Sequence, residues 1–216
     1  MRLDADVRAS LDGPSQTLMN HAGMDPEISL PNAETPSPSA MAPWAWLALV
    51  LLPPLVAIWA FPWFVTQDGP AHIYNAVILR TSLDDATSPY QAAYDVHWEP
   101  LPNWAGHLAL MGLLSVLDPR DADRAMMSLT LVGLAASTLW LRLRVVGPRS
   151  PALGAFWAAL VAMNLTWFFG FYSFLLGSCL FAVTLGVWWP ERDRLGPRSA
   201  LGLSILLALG YLCHPI

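Results

Sequence analysis

An uncharged run of 22 residues limits what this chain can fold into: PWAWLALVLLPPLVAIWAFPWF, at 43–64. At about 1.5 Å per residue, a helix of that length extends roughly 33 Å, enough to cross the hydrocarbon core of a bilayer. The run therefore predicts a transmembrane helix, with a kink where Pro53 and Pro54 interrupt its backbone hydrogen bonds.

The composition agrees with a membrane protein. Of the 216 residues, 55% are hydrophobic and only 12% are charged, whereas charged residues make up about 25% of an average soluble domain. The eleven tryptophans also indicate a membrane protein, because this side chain is enriched at the two membrane–water interfaces. The net charge of -5 argues against nucleic acid as a partner.

Four further apolar runs predict spanning helices, at 125–141, 151–169, 174–189 and 200–213. Together with the first run they predict an all-α, polytopic membrane protein with about five transmembrane helices. The polar, Pro- and Ser-rich residues 1–42 predict a disordered tail ahead of a transmembrane domain at 43–216. Because the last run stops without a polar tail, we expect the chain to be truncated at its C-terminus.

The arginines predict the orientation. Six of the eleven basic residues lie in two short loops, RLRVVGPRS and ERDRLGPRS, and the positive-inside rule places both loops in the cytoplasm. The apolar segment 101–117 then cannot span and is predicted to be an interfacial helix. In this topology the tail is cytoplasmic and residues 65–123 form one large external loop. The loop contains this interfacial helix and another at 70–82.

The first chemical candidates follow the first span directly, in VTQDGPAHIYNAVILR at 65–80. On a helix that starts at Asp68, the side chains of Asp68, His72 and Asn75 fall within roughly 60°. A carboxylate at this position is able to deprotonate an acceptor or to bind a divalent metal. The alternative is that Asp68 only caps the helix, with Pro70 in the first turn. One carboxylate cannot easily cap and also act as a free base.

A second candidate cluster lies in DVHWEPLPNW at 95–104. There Asp95, His97 and Glu99 alternate, and residues two apart share a face of an extended segment. Such a cluster is able to bind a cation or the counter-ion of a pyrophosphate. The alternative is a solvated loop.

Further candidates lie at the end of the external loop and at the outer end of the last helix. The motif DPRDADR at 118–124 places acids before a helix, where they suit the positive end of its dipole. The alternative is that its Asp-Ala-Asp tripeptide binds a metal. Its Arg120 and Arg124 have the planar fork that holds a lipid phosphate. His214, at the outer end of the last helix, either faces the same external cavity as Asp68 or anchors the helix at the interface.

This layout resembles the GT-C membrane glycosyltransferases, which include protein O-mannosyltransferases and the lipid A aminoarabinose transferase. In that family an outward-running first helix precedes a large external loop, which opens with an acidic residue on an interfacial helix. A second interfacial helix follows, and an arginine precedes the second span. The corresponding features here are Asp68, the helix at 70–82, WEPLPNWAGHLALMGLL, and Arg124 in DADRAMMSLTLVGL. The resemblance covers about residues 43–190.

The resemblance implies a bacterial inner-membrane enzyme that transfers a sugar from a polyprenyl-phosphate donor to an external acceptor, with membrane lipid around it. Asp68 corresponds to the catalytic base or metal-positioning acid, and the cofactor stays open between none and a divalent metal. The substrate-binding candidates are His72, Asn75, His97, Glu99, Arg120, Arg124 and His214. The alternative function is a non-enzymatic one, as a transporter or an envelope assembly factor. Inverted repeats and ionisable residues in the spans would favour a transporter.

Overall fold

The computed structural model describes residues 41–62, 64, 66–84, 87–96, 99 and 101–214. Within these residues the secondary structure is entirely helical, which confirms the predicted all-α class. The helices are α1 (Ala42–Ala60), α2 (Gly69–Asp84), α3 (Trp104–Leu114), α4 (Pro119–Val146), α5 (Pro151–Ala162), α6 (Leu165–Phe169), α7 (Tyr172–Trp188) and α8 (Pro197–Cys213), with short 3-10 turns at Pro89–Ala92 and Trp189–Glu191. Residues 1–40, nearly all of the predicted tail, lie outside the described residues.

In the described part of the chain, three helices are long and apolar enough to cross a membrane, by length and composition: α1, α4, and α7 with the turn that follows it. α1 continues through both Pro53 and Pro54. α4 has 28 residues and at about 1.5 Å per residue is roughly 42 Å long. Large apolar side chains on α1, among them Leu49, Leu52 and Val56, are exposed. This is the pattern of an integral membrane protein.

The predicted span at 151–169 is two helices, not one. The Asn164 side-chain oxygen accepts hydrogen bonds from the Trp167 N–H at 3.0 Å and from the Thr166 hydroxyl at 2.6 Å, and so starts α6. A short amide side chain offers the backbone this local alternative to a continuous helix. α5 is therefore only 12 residues long. The last helix, α8, has 17 residues. Both are apolar, but shorter than the three helical segments that are long enough to cross a membrane.

The core forms around α4, which packs against α1, α5 and α7, while α7 also packs against α8. Small residues on one face of α5 let its backbone come close to its neighbours. Those residues are fully or almost fully buried: Ala155, Ala158, Ala159 and Ala162. From α4 the core takes larger side chains, including Met126, Met127, Leu131 and Leu139.

The two helices of the predicted loop pack against each other and against α4. α2 begins one residue before its predicted range and ends two residues after it. α3 has 11 residues, or roughly 16 Å, and is too short to cross a bilayer. It also contacts α7 and α8. These two short helices occupy the same end of the α4–α7 pair as Asp123 and Tyr172.

The contact between α4 and α7 depends on the absence of a side chain at Gly186. An added Cβ there would lie 2.7 Å from Trp140 Cε3, in a rigid ring. We expect Gly186→Ala to lower the free energy of unfolding by about 1–3 kcal/mol, the usual cost of overpacking. Thermal unfolding in detergent micelles measures it. Gly202→Ala in α8, where an added Cβ meets no atom within 4 Å, is the matched control and should be neutral or stabilising. Equal melting temperatures for the two variants would contradict the close contact.

Candidate functional site

A cavity of about 510 Å³ lies where the N-terminal end of α2 meets α3, the start of α7 and the end of α8. Phe171 and Phe174 provide part of its apolar wall. Its polar lining residues carry a carboxylate, an amide, three imidazoles and two hydroxyls, from Asp68, Asn103, His72, His107, His214, Thr166 and Ser173. The structure thus brings together three of the residues that the sequence singles out: Asp68, His72 and His214.

The backbone of Asp68 is held by the end of α6. The Asp68 N–H donates to the carbonyl of Phe169 at 2.9 Å. The chain then turns at Gly170, whose φ of 80° is left-handed and favours glycine. A Cβ at Gly170 would lie 2.5 Å from Thr66 Oγ1. The segment before α2 therefore fits against this turn only because residue 170 has no side chain.

Thr66, rather than the Asp68 carboxylate, caps α2. The Gly69 N–H donates to Thr66 Oγ1 at 3.0 Å, and Pro70 has no N–H to satisfy. The backbone carbonyl of Asp68 accepts from the His72 N–H at 3.0 Å. Among the described residues, none donates a hydrogen bond to the Asp68 carboxylate. The conflict between capping and proton transfer at Asp68 is therefore absent from this structure.

A buried hydrogen-bond network fixes Thr66. Its hydroxyl lies 3.5 Å from the hydroxyl of Tyr172, which donates to Asp123 Oδ1 at 2.5 Å. Tyr172 is fully buried. Gly69 completes the junction, because a Cβ at that position would lie 2.8 Å from the same Asp123 oxygen. The network joins α4, α7 and the start of α2 at one point, and so sets the position of Asp68.

The residue after Tyr172 holds the start of α3 in the same way. The Ser173 hydroxyl accepts from the Gly106 N–H at 3.1 Å and donates to the carbonyl of Asn103 at 2.9 Å. Asn103 has a left-handed φ of 70°, and its Oδ1 lies 2.7 Å from His214 Nδ1. The start of α7 therefore positions polar groups from α2, α3 and α8 around one cavity.

Two of the three imidazoles are close neighbours. The ring centroids of His72 and His107 are 5.4 Å apart. Burial lowers the pKa of His72, charge on His107 lowers it further, and the Asp68 carboxylate raises it. Burial also lowers the pKa of His107, while hydrogen bonding to the Asn103 backbone raises it. Both rings are therefore neutral at pH 7, and each has one donor and one acceptor nitrogen.

Other predicted residues lie near this cavity but outside it. Asn75 lines an adjacent cavity of about 350 Å³, which shares Asn103 and His107 with the first. Glu99 is exposed and lines a mostly apolar cavity of about 460 Å³ between α3, α7 and α8. His97 lies outside the described residues. Of the alternating cluster at 95–99, the two described acids Asp95 and Glu99 line cavities other than that of Asp68.

The two predicted arginines hold the end of α1. Arg120 Nη2 donates to the carbonyl of Pro62 at 2.7 Å, and Arg124 Nη2 donates to the carbonyl of Phe61 at 3.0 Å. These carbonyls lie at the C-terminal end of α1, where the helix dipole is negative and a nearby cation is stabilising. Both arginines line a separate cavity of about 480 Å³ on the Ile73 side of α2, and neither lines the cavity of Asp68.

The acids of the DPRDADR motif have structural partners. Asp118 caps α4 by accepting from the Asp121 N–H at 2.9 Å. Asp121 pairs with Arg124 at 3.2 Å, and Asp123 binds Tyr172. The capping interpretation of this motif is therefore confirmed at Asp118. Within the described part of the chain, no three His, Cys, Asp or Glu side chains are placed to hold a metal ion.

Sequence reasoning missed His107 and the Tyr172–Ser173 pair. A signal for His107 exists, because it lies four residues after Asn103 and so shares a helix face with it. Tyr172 and Ser173 gave no signal, since they lie in an apolar stretch where a hydroxyl has no distinctive spacing. Their importance comes from partners that are 49 to 106 residues away in sequence.

No protein-family model, curated protein or solved structure matches this chain. The side chains of the cavity indicate what it can do. Asp68 is half-buried and has a free carboxylate that is able to accept a proton. The imidazoles of His72, His107 and His214 are able to hydrogen-bond a polar ligand group, and the aromatic wall suits an apolar one. The arrangement therefore supports acid–base chemistry on an amphipathic ligand.

The capping geometry gives a prediction on stability. We expect Thr66→Val, which keeps the shape but removes the cap, to lower the free energy of unfolding by about 1–2 kcal/mol. Asp68→Asn should change it by less than about 0.5 kcal/mol, because no described donor depends on that carboxylate. Thermal or denaturant unfolding of both variants in the same detergent makes the comparison. A larger loss for Asp68→Asn than for Thr66→Val would contradict it.

The histidine pair gives a prediction on pH. The folded-state pKa of both rings is below the unfolded value of about 6.5. The unfolded chain therefore takes up more protons on acidification, and stability that is complete above about pH 7 declines as the pH falls through 6.5. We expect the melting temperature to fall between pH 7.5 and 5.5, and to fall less in the double variant His72→Gln/His107→Gln. An equal fall in the two proteins would show that these rings are not responsible.

Proposed function

We propose that this protein is a membrane glycosyltransferase of GT-C type, which transfers a sugar from a polyprenyl-phosphate donor to a hydroxyl acceptor. The observation that carries the proposal is the Asp68 carboxylate, which faces a cavity with three imidazoles and receives no hydrogen bond from a described residue. The cavity lies beside α4 and α7, two of the helices long enough to span. A lipid-linked donor needs this combination of a polar site and an apolar surround.

In this mechanism Asp68 is the general base. It accepts the proton of the acceptor hydroxyl while that oxygen forms a bond to C1 of the sugar. The bond between C1 and the phosphate oxygen breaks, and the polyprenyl phosphate leaves with the bonding electrons. His72 and His214 line the same cavity and hydrogen-bond the phosphate. Arg120 and Arg124 belong to the separate cavity, so we assign them to holding the end of α1.

The apolar surfaces beside the site suit the lipid of the donor. The separate cavity is lined by Phe64, Ile73 and Val77 as well as the two arginines. The cavity with Glu99 has leucines from α3, α7 and α8 in its wall. We propose that the polyprenyl chain runs along one of these surfaces while its phosphate enters the cavity of Asp68.

We also propose the predicted topology: five spans, a cytoplasmic N-terminus, an external loop at 65–123, and a bacterial inner membrane. In chain order, α5 with α6 supplies the third span and α8 supplies the fifth. Arg144 supports it, because its Nε donates to the carbonyl of Gly186 at 3.3 Å and so links the C-terminal ends of α4 and α7. The arginine-rich loops follow those two ends, whereas Asp68 lies near the N-terminal ends. This separation favours a cytoplasmic arginine side and an external cavity.

Replacing Asp68 tests the proposal directly. We expect Asp68→Asn in the full-length protein to reduce sugar transfer by about 10²–10⁴-fold, since the variant lacks a proton acceptor. The measurement is release of radiolabelled sugar from a polyprenyl-phosphate hexose donor in membranes with equal amounts of protein. Asp84→Asn, at the exposed far end of the same helix, removes only a surface ion pair with Arg80 at 3.6 Å and should transfer normally. Normal transfer by Asp68→Asn would remove Asp68 from the mechanism.

A further inference from the structure

Arg120 has a positive charge and donor groups that the described part of the protein does not use. Its guanidinium has several N–H groups, of which one on Nη2 donates to the carbonyl of Pro62 at 2.7 Å. Among the described residues, no acceptor binds its Nε or Nη1 and no carboxylate forms an ion pair with it. Arg124 differs, because its charge is paired with Asp121 at 3.2 Å. Arg120 therefore lacks a counter-charge within the described chain.

The cavity of about 480 Å³ beside Arg120 has an excess of positive charge. Its charged lining residues are Arg120, Arg124 and Asp123, and the Asp123 carboxylate already accepts a hydrogen bond from the Tyr172 hydroxyl at 2.5 Å. The three neighbouring cavities at this end of the bundle each have a carboxylate and no arginine among their described lining residues. Of these four cavities, the one with Arg120 therefore suits an anion.

The guanidinium of Arg120 lies where two long apolar helices end. Arg120 is in the first turn of α4, and Pro62, whose carbonyl it binds, follows the end of α1. Both helices are long and apolar enough to cross a membrane. Trp59, in the last turn of α1, is exposed, and tryptophan is enriched at the level of the lipid headgroups. In a bilayer that α1 and α4 cross, this guanidinium lies at the level of the lipid phosphates.

The remainder of the cavity wall is mostly apolar, with Phe64, Ile73 and Val77 among its residues. A small water-soluble anion gains nothing from such a wall. A phospholipid does, because its phosphate is joined through glycerol to acyl chains. The lining has one more positive than negative charge, so a lipid of net negative charge balances it and a zwitterionic lipid does not.

We propose that this cavity binds an anionic phospholipid of the surrounding membrane. The lipid phosphate accepts hydrogen bonds from the unused N–H groups of Arg120, while another N–H of the same guanidinium continues to bind Pro62. The acyl chains lie against the apolar wall and join the end of α1 to the start of α4. This binding goes beyond sugar transfer and does not depend on it. The polyprenyl chain of the proposed donor then lies along the other apolar surface, in the cavity with Glu99.

Lipid titration tests the proposal. Delipidated full-length protein in detergent is titrated with dioleoyl phosphatidylglycerol, with phosphatidylcholine of the same chains, or with a polyprenyl monophosphate. Native mass spectrometry measures the lipid-bound fraction. We expect wild type to bind phosphatidylglycerol about tenfold more tightly than phosphatidylcholine, and Arg120→Gln to lose that preference. Arg120→Lys should stay within about threefold of wild type, because it keeps the charge and loses only the planar fork.

Two further variants separate this cavity from general attraction by charge. Arg80→Gln makes the same change in net charge at a residue that pairs with Asp84 and is not among the described lining residues of the cavity. It should bind phosphatidylglycerol as wild type does. Val77→Phe narrows the apolar wall and keeps both arginines, and should weaken phosphatidylglycerol binding several-fold.

Four outcomes would overturn the proposal. The first is equal affinity of Arg120→Gln and wild type for phosphatidylglycerol, and the second is an equal loss in Arg80→Gln. The third is a loss in Arg120→Lys as large as in Arg120→Gln, with both variants melting below wild type before lipid is added, because Arg120 would then act only on the end of α1. The fourth is tighter, Arg120-dependent binding of the polyprenyl monophosphate, which would assign the cavity to the donor carrier.

Discussion

The first two residues of α7 hold the polar end of this protein together. The Tyr172 hydroxyl donates to Asp123 and lies beside Thr66, while the Ser173 hydroxyl bridges the N–H of Gly106 and the carbonyl of Asn103. These bonds form in apolar surroundings, where each is stronger than in water and each missing partner is costly. The starts of α2 and α3 are therefore attached to α4 and α7 at adjacent points, beside the cavity.

This arrangement leaves the Asp68 carboxylate without a hydrogen bond from any described residue. Because Thr66 satisfies the first N–H of α2, the side chain of Asp68 does not have to do so. The Asp68 N–H donates to the carbonyl of Phe169, so the backbone that carries this carboxylate is anchored. The neighbouring His72 is neutral at pH 7 and does not neutralise the acid. In the proposed mechanism, this carboxylate in its partly buried cavity is the general base.

Three residues that the sequence singles out line one cavity in the structure. Helical periodicity placed Asp68 and His72 on one face, and the end of the last apolar run placed His214 at the same end of the bundle. Arg120 and Arg124 do not line this cavity. Their guanidinium groups donate to the backbone carbonyls of residues 62 and 61. Hydropathy detects an arginine near a membrane surface but contains no information on whether a carbonyl or a phosphate will meet it. The break at Asn164 was missed for a similar reason, since its cap is one local hydrogen bond inside an apolar run.

The sequence by itself determined that the chain is all-α and that α1, α4 and α7 are long and apolar enough to span a membrane, because hydrophobicity and helix length are local properties. It also determined which titratable groups follow the first span. Only the tertiary structure decided that Thr66 caps α2 in place of Asp68. The hydroxyl of Tyr172, which is 106 residues further along the chain, lies 3.5 Å from the Thr66 hydroxyl and supports it in that position. A hydrogen bond between distant residues leaves no periodicity in the sequence, so the free state of Asp68 became visible only in the folded protein.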